Sequence, residues 1–124
     1  MKKAIIAGAA HGFLAVALGA FGAHALEDVL DEYSTGIWET AIQYQMFHAS
    51  GLILIGILMS VLGASKQLTW ASRFMHAGIY FFSGSLLVLA LSGIGVLGAI
   101  TPIGGVLFLA AWALVIIAAV KSAK

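Results

Sequence analysis

Four histidines are the residues of this sequence that could carry chemistry within its apolar stretches. His11 and His24 lie in the first long apolar stretch, His48 in the second and His76 in the third. Imidazole can gain or lose a proton near neutral pH and can bind metals. Because an ionisable group in an apolar segment is costly, it usually faces other protein or a water-filled cavity. The histidines are therefore the first candidates for a functional site.

The polar neighbours of these histidines predict two clusters. Helical spacing places Tyr44, Gln43 and Glu39 about one turn apart on the side of His48, and the same spacing joins Tyr80 to His76. The predicted outer cluster comprises His24, Glu39, Gln43, Tyr44 and His48. The predicted inner cluster comprises His11, His76 and Tyr80.

Three interpretations of the clusters remain open. Each histidine could be neutral and hydrogen-bonded to neighbouring groups. The pairs could instead be titratable steps for a proton or small solute, or could ligate haem or a metal. No His-x-x-x-His or Glu-x-x-His spacing supports ligation, so we assign no metal and no cofactor. We expect no enzyme, because cysteine is absent and Ser83-Gly84-Ser85 lacks a Gly-x-Ser-x-Gly elbow.

The elements that must position these residues are predicted to be four transmembrane helices. The 124 residues are 62% hydrophobic and only 9% charged, whereas a soluble domain carries about 25% charged residues. We predict an all-α membrane protein, one domain folded as a compact four-helix bundle. The predicted spans are residues 4–26, 40–62, 74–92 and 102–120.

Charge predicts the orientation of the bundle. The six basic residues lie at the amino end, between spans two and three, and at the carboxyl end: Lys2, Lys3, Lys66, Arg73, Lys121 and Lys124. The five acidic residues lie around the loop between spans one and two: Glu27, Asp28, Asp31, Glu32 and Glu39. The positive-inside rule then places both termini in the cytoplasm. Net charge is only +1, and the scattered basic residues give no nucleic-acid footprint; the expected surroundings are the lipid bilayer.

Two features of the amino-terminal third bear on this topology. Leu26, Val29, Leu30 and Tyr33 alternate at helical spacing with the four acidic residues 27, 28, 31 and 32, which predicts a short amphipathic segment on the outer face. Lys2-Lys3 before an apolar stretch also resembles a secretory signal. The stretch is longer than a usual signal core, which favours a span.

Small residues at helical spacing predict close helix packing. We favour packing within the chain over a dimer face. The candidates are Gly8, Gly12, Gly19, Gly22, Ser83, Gly84, Gly104 and Gly105.

Four ordered motifs resemble one family over essentially the whole chain. They are Gly19-Ala20-Phe21-Gly22-Ala23-His24, Tyr44-Gln45-Met46-Phe47-His48, Phe82-Ser83-Gly84-Ser85-Leu86 and Thr101-Pro102-Ile103-Gly104-Gly105. The sequence resembles the bacterial membrane proteins called domain of unknown function 423, which are also similar to mitochondrial transmembrane protein 256. The resemblance implies a four-helix protein of the bacterial inner membrane and carries no catalytic role. His11 and His76 lie outside the matched motifs.

These observations predict a small inner-membrane protein that acts through helix packing, as a homo-oligomer or with a larger membrane-protein partner. The alternative is a proton-conducting or small-solute transporter that uses His24 and His48 near an outer vestibule. Haem or metal binding by paired histidines is the second alternative.

Overall fold

The computed structural model describes residues 1–122, and helices joined by short turns make up this part of the chain. The α-helices are α1 (Lys2–His24), α2 (Glu32–Leu62), α3 (Lys66–Gly78), α4 (Ser85–Ser92) and α5 (Thr101–Lys121). A π-helical segment, Ile79–Gly84, joins α3 to α4 without a break, and a 3-10 segment, Gly95–Ala99, precedes α5.

Four helical stretches are long and apolar enough to cross a membrane, as predicted. They are Lys2–His24, Glu32–Leu62, Lys66–Ser92 and Gly95–Lys121. The second helix begins earlier than predicted because Asp31 caps it, accepting a hydrogen bond from the Ser34 backbone N–H at 2.7 Å. The third begins at Lys66 because the Ser65 hydroxyl accepts from the Leu68 N–H at 3.2 Å.

The helices form two antiparallel hairpins that pack side by side. α1 packs chiefly on α2, α5 packs chiefly on α3 and the π segment, and α2 contacts α3, the π segment and α4 between the hairpins. One apolar core cluster centres on Leu52, Ile55 and Met75. A second, nearer the opposite end, centres on Leu26, Trp38 and Ile42.

The predicted amphipathic segment between α1 and α2 is not confirmed as a regular helix. Residues 25–30 form turns and a bend, so they lack a regular helical face. Leu26 is buried in the second core cluster and Leu30 packs against it. Val29 and Tyr33 are exposed. Two of the four apolar residues of the predicted segment, Leu26 and Leu30, therefore pack against the core, and the other two are exposed.

The π segment is closely approached by α5, because an added Cβ at Gly104 would overlap Phe82. A π turn displaces backbone carbonyls from the regular ladder, and the Ser85 hydroxyl lies 2.6 Å from the Phe81 carbonyl oxygen and 2.9 Å from that of Phe82. The Ser85 oxygen also lies 2.6 Å from the Thr101 hydroxyl of α5. Two of the recognised motifs therefore meet at one joint between helices.

The antiparallel order of the spans separates the charges between the two ends of the bundle. We call one end the basic end, because Lys2, Lys3, Lys66, Arg73 and Lys121 lie there or in the adjoining turns of helix. The other, the acidic end, carries the five carboxylates. The sixth basic residue, Lys124, lies outside the described residues.

Candidate functional site

The motif Tyr44-Gln45-Met46-Phe47-His48 joins α2 to the three other spans. The Tyr44 ring packs on Phe82 of the π segment, with centroids 4.3 Å apart. The Gln45 side chain reaches His11 of α1, and His48 contacts α5 through Phe108 and Trp112. Successive faces of one helix can reach different neighbours in this way, which makes the motif the centre of the bundle.

His48 has partners for both ring nitrogens. The Trp112 indole N–H donates to Nε2 at 3.2 Å. An indole can only donate, so Nε2 carries no proton. Nδ1 therefore carries the proton and donates it to the Tyr44 carbonyl oxygen, 2.8 Å away. The ring stacks on Phe108 at a centroid distance of 3.5 Å and is only 3% exposed. His48 is a neutral structural histidine.

His11, Gln45, His76 and Tyr80 form a second assembly, which we call the polar centre. The ring centroids of His11 and His76 are 5.0 Å apart, and each lies 5.2 Å from the Tyr80 ring. His11 is nine residues beyond Lys2 in α1, a rise of about 14 Å. That is about half the thickness of the hydrocarbon layer. The structure thus brings the three residues of the predicted inner cluster together, about halfway along α1.

Gln45 leaves the polar centre with one unmet hydrogen-bonding group. Its amide nitrogen donates to His11 Nδ1 at 3.4 Å. Its Oε1 is buried and has no hydrogen-bond partner, and the residue is only 4% exposed. A buried acceptor without a partner is costly, so this oxygen favours a water molecule or another proton donor beside it.

The predicted outer cluster is not brought together. α1 and α2 run antiparallel with Gly8 against Ala49 and Gly22 against Trp38. This register places His24 level with residues about one turn into α2, roughly 18 Å along the axis from His48. His24 is exposed at the end of α1. The pairing of His24 with His48 is wrong, because His48 lies at the level of His11.

The remaining members of the predicted outer cluster are divided between two grooves. Glu39 lines a groove of about 490 Å³ between the acidic-end parts of α1 and α2. Tyr44 and His48 line a groove of about 780 Å³ between α2 and α5, which we call the aromatic groove. Gln43 borders both.

A third cavity opens at the basic end, between α1 and α3. It has a volume of about 350 Å³, and we call it the basic cavity. Its polar lining residues are Lys3, Thr69, Ser72, Arg73 and His76. Because His76 also belongs to the polar centre, the cavity connects that centre with the basic end. Toward the acidic end, the second core cluster of Leu26, Trp38 and Ile42 fills the bundle.

The histidine geometry does not fit bis-histidine haem. The rings of His11 and His76 are in edge contact, which leaves no space for a macrocycle between them. Both nitrogens of His48 are engaged within the protein. Within residues 1–122, no group of three or more His, Cys, Asp or Glu side chains is placed to hold a metal ion.

The predicted packing residues fall into two groups. An added Cβ at Gly8 would lie 2.6 Å from the Ala49 carbonyl oxygen, and one at Gly22 or Gly104 would overlap Trp38 or Phe82. Gly19 and Ser83 also face protein, Ser83 being 1% exposed. Gly12 and Gly105 face open space, and Gly84 has only a distant neighbour. Most of the small residues of α1 therefore pack against α2.

Trp112 is the residue of this region that the sequence analysis missed. Trp112 lies in an apolar helix, and its sequence surroundings do not distinguish it from a tryptophan that faces lipid. Gln45 was recognised only as part of a motif, although an amide in an apolar stretch is the signal that marks it. Gln45 lies about 100° around α2 from Tyr44, and this places its side chain against His11 of the inner cluster.

Comparison with known proteins gives the same picture. The family model "Protein of unknown function (DUF423)" matches residues 18–105. A "UPF0382 membrane protein" of Staphylococcus epidermidis is 50% identical over 123 residues, covering 99% of each chain. The "UPF0382 membrane protein YwdK" of Bacillus subtilis is 47% identical over 121 residues, covering 98% of each. No solved structure gives a significant match. With its recognised motifs at the helix contacts and relatives matched end to end, the chain belongs to the DUF423 family of membrane proteins.

Proposed function

We propose that this protein is a non-enzymatic component of the bacterial cytoplasmic membrane, with both termini in the cytoplasm, that acts by packing against a second copy of itself. The positive-inside rule supports the orientation. Neither serine of the Ser83-Gly84-Ser85 motif suits nucleophilic catalysis, because Ser83 is buried and Ser85 is hydrogen-bonded to the backbone. The aromatic groove is the observation that carries the proposal.

The groove exposes one face of α5 that is suited to a symmetric contact. Gly105 has open space where a side chain would stand, and it is flanked by exposed Val106 and Leu109. Membrane helices associate where a small residue lets backbones approach. Where two α5 helices cross at Gly105, Val106 and Leu109 of each copy would enter the aromatic groove of the other. This is the self-complementary arrangement of a two-fold dimer.

Two matched glycine variants test this contact. Gly105→Leu should convert the dimer to a monomer, whereas Gly12→Leu, at an equally open site in α1, should leave it intact. The measurement is the mass of the protein in mild detergent and its cross-linking in native membranes. A wild-type protein that is monomeric in both settings would overturn self-association. Co-purification of another membrane protein, lost only in Gly105→Leu, would identify a different occupant.

The polar centre supports a second candidate function, the transfer of protons or a small polar solute. Two imidazoles in contact near mid-membrane cannot both be charged cheaply, and His76 is reached from the basic cavity. The transporter hypothesis therefore moves from His24 and His48 to His11 and His76. In liposomes with a trapped pH dye, His76→Ala should abolish a flux that His24→Ala preserves. A wild-type protein without flux would leave packing as the function.

A further inference from the structure

We propose that the basic cavity is a binding site for a phosphate group, supplied either by the headgroup of an anionic phospholipid or by free phosphate. The site is independent of the dimer contact, because the basic cavity lies between α1 and α3 and the aromatic groove lies between α2 and α5.

The lining of the cavity has the chemistry of an anion site. Lys3 comes from α1, and Thr69, Ser72 and Arg73 come from α3, with His76 at the inner end. No Asp or Glu lines the cavity, and the five carboxylates of the chain lie at the acidic end. Within residues 1–122, neither Lys3 nor Arg73 shares the cavity with an Asp or Glu side chain, so the lining offers no side-chain anion to these two cations.

Arg73 is held in a position suited to bidentate binding. Its guanidinium carbon lies 4.9 Å from the centroid of the Trp70 ring, a cation–π contact that restrains the side chain. A guanidinium in a cation–π contact can still offer N–H groups to an anion, and their fork matches two phosphate oxygens. Lys3, on the facing helix, adds a point charge to the same cavity.

Of the two hydroxyl groups that line the cavity, the one of Thr69 is better placed to bind an anion than the one of Ser72. Ser72 donates its hydroxyl proton to the Thr69 carbonyl oxygen at 2.8 Å, so it contributes little to an anion. Thr69 lies one helical turn before Arg73, and its hydroxyl can donate from the same face of α3. Thr69, Arg73 and Lys3 are therefore the three groups we assign to the phosphate.

The position of the cavity makes it accessible to both lipid headgroups and inorganic phosphate. Trp70 is 47% exposed and marks the interfacial level of the basic end, where tryptophan is enriched. Lipid phosphates lie at this level, and basic pockets between membrane helices bind anionic headgroups. Because residues at the ends of α1 and α3 line the cavity, inorganic phosphate can reach it from the basic end of the bundle.

The test compares cations that differ only in whether they line the cavity. The protein is placed in nanodiscs of phosphatidylcholine, with and without phosphatidylglycerol, and the lipids it retains are counted by native mass spectrometry. Inorganic phosphate is titrated in the discs without phosphatidylglycerol while Arg73 side-chain resonances are followed. Lys3→Gln and Arg73→Gln remove lining charges. Lys2→Gln removes the neighbouring charge outside the lining, and Arg73→Lys retains the charge without the fork.

We expect Arg73→Gln to weaken binding by about tenfold or more, Lys3→Gln to weaken it less, and Lys2→Gln to leave it within about twofold. Arg73→Lys should lie between Arg73→Gln and wild type. Retention of phosphatidylglycerol alone would identify a lipid site, and a response to phosphate alone would identify a solute site. Equal losses in Lys2→Gln and Lys3→Gln would overturn the proposal, because they would indicate diffuse surface attraction. Absence of binding in both arms would also overturn it.

Discussion

His48 shows how one buried side chain can resolve a functional ambiguity. Both of its ring nitrogens have protein partners, and the donor-only chemistry of Trp112 fixes the neutral Nδ1–H tautomer. His11 and His76 differ, because their rings meet each other at the end of a cavity. The four histidines of the sequence therefore have distinct roles that spacing alone did not separate.

Removing the indole donor should destabilise the bundle. Trp112→Phe keeps an aromatic ring but leaves His48 Nε2 buried without a donor, which we expect to cost about 1 kcal/mol in the free energy of unfolding. Trp70→Phe, at an exposed position, should change it by less than about 0.5 kcal/mol. Unfolding in mixed detergent micelles measures both, and equal losses would contradict a specific role for the Trp112–His48 bond.

At the scale of elements, the adjacent glycines of α5 offer a matched test of the joint at the π segment. An alanine methyl at Gly104 would overlap Phe82, whereas one at Gly105 meets nothing within 4 Å. Gly104→Ala should therefore destabilise the protein by about 1–3 kcal/mol, and Gly105→Ala should be nearly neutral. The same micelle unfolding measures this. A neutral Gly104→Ala would mean that α5 does not approach the π segment this closely.

The cap of α2 makes the start of that helix sensitive to acid. The backbone N–H of Ser34 bonds to the Asp31 carboxylate, which holds the pKa of Asp31 below its usual value. A lowered folded pKa gives a stabilisation that is present above the unfolded pKa and is lost as pH falls through the folded one. Hydrogen exchange at Ser34 and Thr35 should quicken with acid in the wild type. In Asp31→Ala, exchange at these two amides should be faster at every pH, after correction for the intrinsic pH dependence of exchange. Protection that does not change with pH in the wild type would contradict the cap.

At the scale of the whole molecule, the sequence predicted the spans well and the site only in part. Each span is predicted from the hydropathy of about 20 residues together, so single residues matter little. The four apolar helices could therefore be predicted from the sequence. The site depends on helix register, which a few close contacts such as Gly8 with Ala49 decide. In this register His48 lies at the level of His11, about 18 Å along the axis from His24. The inner cluster was predicted because its three residues lie at a similar distance from the basic end.

The separation of charges across the molecule predicts its orientation and offers the last test. Cytoplasmic loops retain basic residues, so a reporter that works only in the cytoplasm should be active when fused after Lys121. A reporter that works only outside should be active when inserted after Gly93, in the uncharged turn between the last two spans. Replacing Lys2, Lys3, Lys66 and Arg73 with glutamine should reduce both activities, because the chain loses the charges that hold it in one orientation. Expressed fusions with the opposite pattern would invert the topology, and the basic cavity would then face the outer leaflet.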